Sequence, residues 1–153
     1  MRKIKELHFE IEIHAPREKV WDTMLGTETY RQWTEPFGAG GSMAGSWDEG
    51  SKIQFLGPVE DGKTSGMTSR IKENRTYEFL SIEHLGYILN GVEMFDGPEI
   101  DSWAPAFENY TFEKVSDDKT LLKIDVQVEP KYAEMFTEQW PNALTKLKEM
   151  CEK

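Results

Sequence analysis

KYAEMFTEQWPNALTKLKEMC, residues 131–151, decides the fold. Its residues Tyr132, Phe136, Trp140, Ala143, Leu144, Leu147 and Cys151 recur three and four positions apart. That spacing puts them on one stripe of an amphipathic α-helix of about five turns. Pro130 stands just ahead of it. Pro141 lies inside it, removes one backbone donor and predicts a kink around Thr137, whose carbonyl meets the proline ring. A helix this long and this aromatic needs an apolar face of similar size to cover.

The strands that supply such a face lie upstream. Leu122, Ile124, Val126 and Val128 alternate with Lys123, Asp125 and Gln127 within Thr120–Val128, a one-sided strand. Glu108 to Val115 pairs with it across Ser116-Asp117-Asp118. At the other end of the chain, Leu7, Phe9, Ile11 and Ile13 alternate with His8, Glu10, Glu12 and His14. Pro16 stops that strand and suits the first turn of a helix. Val20, Trp21, Met24 and Leu25 then follow helical spacing up to Gly26, read as a C-cap, and Thr27, Tyr30 and Trp33 make a second short helix closed before Pro36.

Between these ends, Phe37 to Ser46 is rich in glycine and reads as a loop at a pocket mouth; it lacks the ending of a phosphate loop. Trp47 and Lys52–Leu56 read as short strands turned at Asp48-Glu49-Gly50. Gly57-Pro58 ends the second, and Asp61-Gly62 turns the chain into two longer strands, Ser65–Lys72 and Arg75–Leu89. In the latter Leu80, Ile82, His84 and Ile88 share one parity. Asn90-Gly91 has the form of a hairpin turn, but no clear strand follows before Phe107, so Gly91 to Pro105 is read as a long loop carrying Glu93, Asp96, Glu99 and Asp101 as a solvated acidic lid. The order is strand, two helices, six strands and a long helix, which predicts an α+β layer structure with an antiparallel sheet covered by the terminal helix. At 153 residues the chain suits one domain, 1–153.

Composition narrows function by exclusion. The 18 basic and 28 acidic residues give a net charge of −10. With no basic stripe, nucleic acid and anionic membrane surfaces are poor partners. The lone Cys151 makes no internal disulfide and no zinc motif. The charged start, Met1 to Lys5, leads directly into a strand, with no apolar signal core and no run near the roughly 18 residues of a membrane span. A cytoplasmic protein without metal or cofactor, and without membrane insertion, is expected.

Several stretches, taken in order, resemble the SRPBCC superfamily, the START and birch-pollen-allergen helix-grip proteins. They are Ala15-Pro16-Arg17-Glu18-Lys19-Val20-Trp21; Tyr30-Arg31-Gln32-Trp33; Gly45, Trp47 and Gly50 before Ile53-Gln54-Phe55; Tyr77-Glu78-Phe79-Leu80; and Trp140-Pro141-Asn142-Ala143-Leu144 leading to Leu147. Within the superfamily the chain is most similar to the family named for the activator of the heat-shock protein 90 ATPase. The resemblance implies a curved antiparallel sheet wrapped around the long C-terminal helix, with a cavity between them. It implies no single activity, since such domains bind lipids, sterols or polyketides, catalyse cyclisation or hydration, or bind a chaperone.

The fold would bring together side chains from separate elements: Trp33, Phe55, Met67, Ile82, His84, Trp103, Tyr110, Phe136 and Trp140 are the expected ligand-binding residues. His84, Asn109 and Tyr110 are the polar anchors available to them. The same rings would serve equally to fill the interior. His84 is the one evident titratable candidate, with no carboxylate partner visible in the sequence, and an inward histidine is often just a hydrogen-bonded core residue. No catalytic residue is assigned. The expected function is a binder of a small hydrophobic molecule; a cyclase- or hydrolase-type enzyme using the same cavity and a chaperone-associated interaction module are the rivals.

Overall fold

A computed structural model describes residues 3–38, 40–57, 62 and 64–153. Strand β1 (Lys5–Ile13) leads into helices α1 (Arg17–Leu25) and α2 (Thr27–Trp33) and a 3-10 turn, Glu35–Phe37. Strands β2 (Ser42–Gly45), β3 (Lys52–Leu56), β4 (Gly66–Arg75), β5 (Phe79–Leu89) and β6 (Val92–Met94) follow. A one-turn helix α3 (Pro98–Asp101), strands β7 (Ala106–Ser116) and β8 (Lys119–Val128), and helix α4 (Ala133–Cys151) complete the chain. The strands form one antiparallel sheet in the order β1-β8-β7-β5-β4-β3-β2, with β6 paired to β5 off that path. This is the α+β helix-grip architecture, with α4 lying across the curved sheet.

Alternation and helical spacing explain the outer parts of the fold well. In β1, Leu7 and Ile13 are buried, and Ile13, Leu122 and Ile124 are wholly inaccessible. Val20, Trp21, Met24 and Leu25 are the buried face of α1. Pro16 precedes the helix with extended φ and ψ and offers its carbonyl to Lys19 and Val20. Gly26 does stop α1, donating to Asp22, but with φ −66° it is not in a left-handed cap. It serves at once as the start of α2, and a Cβ there would come within 2.6 Å of Thr29 Oγ1. Along α4, Trp140, Ala143, Leu144, Leu147 and Cys151 are buried as their spacing requires, while Tyr132 is exposed and precedes the helix in a 3-10 turn.

The middle of the chain departs from expectation. The supposed loop Phe37–Ser46 contains the edge strand β2, whose residues pair with Ile53–Leu56. Small side chains and glycines suit an edge where a neighbour's backbone passes close, and they erase the alternation that marks a strand. A Cβ on Gly45 would sit 2.4 Å from the Lys52 carbonyl oxygen. Trp47 is not in a strand; its indole Nε1–H donates to the Leu25 carbonyl at 2.9 Å and ties the loop after β2 to the end of α1. Pro58 and Asp61, read as a strand stop and a turn, lie outside the described residues, as do Met1 and Arg2.

Asn90-Gly91 is a hairpin turn after all. Both residues have positive φ, 53° and 82°, as the central pair of a type I′ turn does. The strand it starts, β6, is three residues long with a glutamate in the middle, too short to show a period. Among the described residues, seven strands, not six, therefore follow α2. Glu93 is no part of a solvated lid. Its carboxylate accepts hydrogen bonds from Lys52 Nζ (2.5 Å), Thr68 Oγ1 (2.6 Å) and Gln54 Nε2 (3.0 Å), binding β6 to β3 and β4.

Those bonds, led by the one from Lys52, hold the Glu93 carboxyl down to about 2, against an ordinary 4.5. A depressed carboxylate stabilises the fold above its unfolded pKa, and that contribution disappears as pH falls through the folded value. The unfolding free energy should therefore decline from about pH 4.5 towards about pH 2, with part of that slope belonging to Glu93. Glu93→Gln should flatten the profile in that window when denaturant midpoints are measured against pH. An unchanged slope would mean that the cluster does not discriminate between charged and neutral forms.

Candidate functional site

Between the sheet and α4 lies a cavity of about 620 Å³, within the size range of ordinary small-molecule sites. Tyr30, Trp33 and Phe37 form its wall on the α2 side, Phe55 comes from β3, Tyr87 from β5, Tyr110 from β7, and Phe136 and Trp140 from α4. Trp103, from the segment between α3 and β7, closes another side. The rings support one another: Phe37 meets Trp140 edge-on at 4.9 Å, and Tyr87 leans on Trp103 at 5.1 Å. Leu89, Tyr132 and Met135 border the opening and are exposed.

Eight of the nine residues expected at the site, Trp33, Phe55, Met67, His84, Trp103, Tyr110, Phe136 and Trp140, line this cavity. Ile82 does not; it is wholly buried in the core beneath. The parity reading of β5 fails beyond His84 for a physical reason. His84 pairs with Ser69 and Gly86 with Thr68, so β5 carries an extra residue, Leu85, at a β-bulge. The bulge reverses the faces, so that Tyr87 and Leu89 reach the cavity while Ile88 does not.

A hydrogen-bonded polar row runs across β4, β5 and β7 and meets the cavity at its β5 and β7 members. Ser69 Oγ is 2.7 Å from His84 Nδ1, and His84 Nε2 is 2.9 Å from Glu108 Oε1. The Tyr110 hydroxyl donates to the other oxygen of Glu108. Glu108 and Tyr110 are two apart on β7 and so share its inward face. Asn109, expected as an anchor, has the opposite parity and is not part of the lining. Tyr30, Phe37 and Tyr87 were not expected among the lining rings, and Glu108 is the cavity-facing member of the polar row that sequence reasoning missed. Its parity with Tyr110 was the available signal, but a glutamate on a strand is ordinarily assigned to the solvent side.

Burial, then the nearby Glu108 charge, raises the Tyr110 phenol well above its ordinary range, and the same two causes in the same order raise Tyr30. Burial and the Glu129 hydrogen bond raise Tyr87, whose hydroxyl donates to Glu129 Oε1 at 2.5 Å near the mouth. These phenols therefore stay protonated donors at any physiological pH. Serine, histidine and glutamate in a hydrogen-bonded row suggest a nucleophilic triad. The geometry argues otherwise: Ser69 is 1% exposed and is not among the lining residues, so its oxygen does not meet a molecule in the cavity. Ser69 positions the imidazole, and the groups that face the cavity are His84, Glu108 and Tyr110.

A family model described as "Activator of Hsp90 ATPase homolog 1-like protein" matches residues 14–152. The chain belongs to that family, within the SRPBCC fold. A search of the curated proteins gave no match. Among solved structures, the Aha1 dimer from Colwellia psychrerythraea is similar at 18% identity and TM-score 0.67, over 97% of this chain and 96% of that one. A protein of Chromobacterium violaceum is similar at 17% identity and TM-score 0.66, over 97% of each chain. DynU16, from the dynemicin biosynthetic locus, gives 14% identity and TM-score 0.65 over 97% of this chain and 47% of that one. At these identities the likeness is one of fold. No helix among the described residues is long and apolar enough to cross a membrane.

Proposed function

We propose that residues 1–153 act as one domain that binds a small hydrophobic molecule in the cavity between the sheet and α4. The observation that carries this is the cavity itself: about 620 Å³, walled by aromatic rings, with a polar row centred on Glu108. A fold held together by a filled interior would have no use for a space of that size, since voids forfeit packing contacts. The origin of DynU16 in a biosynthetic locus accords with a small-molecule role for this fold.

The test begins with native mass spectrometry of gently purified protein for a retained ligand, followed by thermal shift with fatty acids, flavonoids, sterols and polyketide-like aromatics. A ligand at a hundred times its dissociation constant stabilises by about 2.7 kcal/mol, or roughly 5–11 °C for a chain this long. Ala106 lines the cavity and is 3% exposed, so Ala106→Phe places a ring inside it. The shift should vanish in that variant. A shift that survives would place binding elsewhere and end the proposal.

One observation favours a second reading, an enzyme of the cyclase or hydrolase type: His84 has the carboxylate partner that general acid–base work requires, and both face the cavity. His84→Gln separates the two. For a binder, affinity for the retained ligand should fall by about 1–3 kcal/mol, the cost of a poorly replaced polar contact. For a general base, binding should persist while turnover falls about 10²–10⁴-fold.

A further inference from the structure

The charge of the cavity restricts what it would hold. Three carboxyl side chains line it, Glu99, Glu108 and Glu129, and among the described residues no lysine or arginine does. Lys131 stands outside the lining, 3.7 Å from Glu99 and 3.8 Å from Glu129, and offsets those two near the mouth. Glu108 has no such lysine or arginine among the described residues: its ion-pair partner is His84, and its side chain is 21% exposed. Among the described residues, each of its oxygens accepts one side-chain bond, from His84 or from Tyr110. A carboxylate oxygen has two acceptor positions, so each keeps one open while the two donors fix the group in place.

Resting on the binding reading above, we propose that the cavity selects hydrophobic amines: the apolar body lies against the aromatic wall and the ammonium meets Glu108. An ammonium loses its hydration on entering an apolar space, and a fixed carboxylate with open acceptor positions is what offsets that loss. Aromatic rings line the same cavity, Trp33, Tyr110 and Trp140 among them, and a ring face turned to the ammonium adds the attraction of its negative quadrupole. A ligand acid fares worst, because it brings a like charge towards Glu108 and enters only by taking up a proton. A neutral alcohol satisfies one acceptor position and leaves the carboxyl charges of the lining unmatched.

Three probes on one skeleton test this: naphthylethylamine, naphthylethanol and naphthylacetate, titrated calorimetrically at low salt and about pH 8, above the ordinary imidazole range. The amine should bind tightest, by about tenfold or more over the alcohol, as bonds to charged groups exceed neutral ones. The acid should bind weakest. Glu108→Gln should bring the amine to within about threefold of the alcohol. Binding of the acid as tight as the amine, equal binding of amine and alcohol, or an amine preference that survives Glu108→Gln would each overturn the selection for amines while leaving cavity binding in place. If none of the three binds, the cavity-binding reading falls with it. Should the variant fail to fold, the ranking in the unmodified protein decides alone.

Discussion

Trp140→Ala should lower the unfolding free energy by about 3–5 kcal/mol, the cost of truncating a large buried aromatic. At roughly 2–4 °C per kcal/mol for a chain of this size, the melting temperature should fall by about 6–20 °C. Trp140 is 4% exposed and is where four elements meet α4. It stacks on Phe9 of β1 at 6.1 Å, lies against Trp33 of α2 at 6.1 Å, meets Phe37 of the 3-10 turn at 4.9 Å and approaches Tyr110 of β7 at 6.3 Å. Glu138, exposed on the same helix, is the matched control and should cost under about 0.5 kcal/mol on change to alanine. Lys148 is unsuited to that role, because its Nζ donates to the Glu12 carbonyl at 2.9 Å and pairs with Glu152. Leu144→Ala, buried but away from the cavity, should cost about 2–5 kcal/mol and leave ligand-induced shifts intact. Trp140→Ala should disturb both. Equal midpoints for Trp140→Ala and Glu138→Ala in a denaturant titration would mean that the apolar stripe of α4 does not face the sheet.

The helix and the outer strands were legible because each satisfies a single demand. Along β8 and β1 one face is buried and the other meets solvent, so a period of two survives intact in the residues. The stripe of α4 survives for the same reason, with Pro141 accommodated inside the helix. Where two demands meet, the period is lost. β2 is an edge strand whose close approach to β3 requires glycine at position 45. β6 offers three residues, and the middle one, Glu93, points at Lys52, Gln54 and Thr68 instead of at water. The Asn90-Gly91 turn was recognisable as a pair; what hid it was the brevity of the strand it begins.

The aromatic part of the site was legible for a related reason. Rings on separate elements have few places to go in a helix-grip fold except against α4. The polar part was not. A bulge at Leu85 shifts β5 by one residue without any glycine or proline at the bulged position itself. That exchange carries Tyr87 into the cavity in place of Ile88. Glu108 is harder still, because an inward carboxylate is tolerated only when donors await it. Its donors, His84 and Tyr110, are 24 and two residues away, on another strand and on its own. Pair geometry of that kind is a property of register, here that of β5 against β7, which sets His84 opposite Ala106 and Ile82 opposite Glu108.

Two glycines of the sheet lead to the other large effect. A Cβ on Gly66 would lie 1.9 Å from the Phe55 carbonyl oxygen, and one on Gly86 would lie 2.0 Å from that of Met94. Neither distance is compatible with the native pairing, and the obstructing atoms are backbone, so no side-chain rotation relieves them. Overpacking of this kind costs about 1–3 kcal/mol, occasionally more, but the cost is capped by whatever local detachment removes the clash. At Gly86 the cap is low. Alanine there can be accommodated by releasing β6, a three-residue strand held by its pairing to β5 and by the bonds of Glu93. At Gly66 the obstructing strand is β3, and moving it would carry Phe55 out of its contacts with Tyr30, Trp47 and His84 and open the cavity wall. Gly66→Ala should therefore cost about 3 kcal/mol or more and lower the global midpoint. Gly86→Ala should cost less and show itself in hydrogen exchange as lost protection at Val92–Met94. The reverse order, with Gly86→Ala the more damaging and exchange at β6 unchanged, would show that β6 is a fixed part of the sheet and that its docking is far stronger than three residues and one carboxylate suggest.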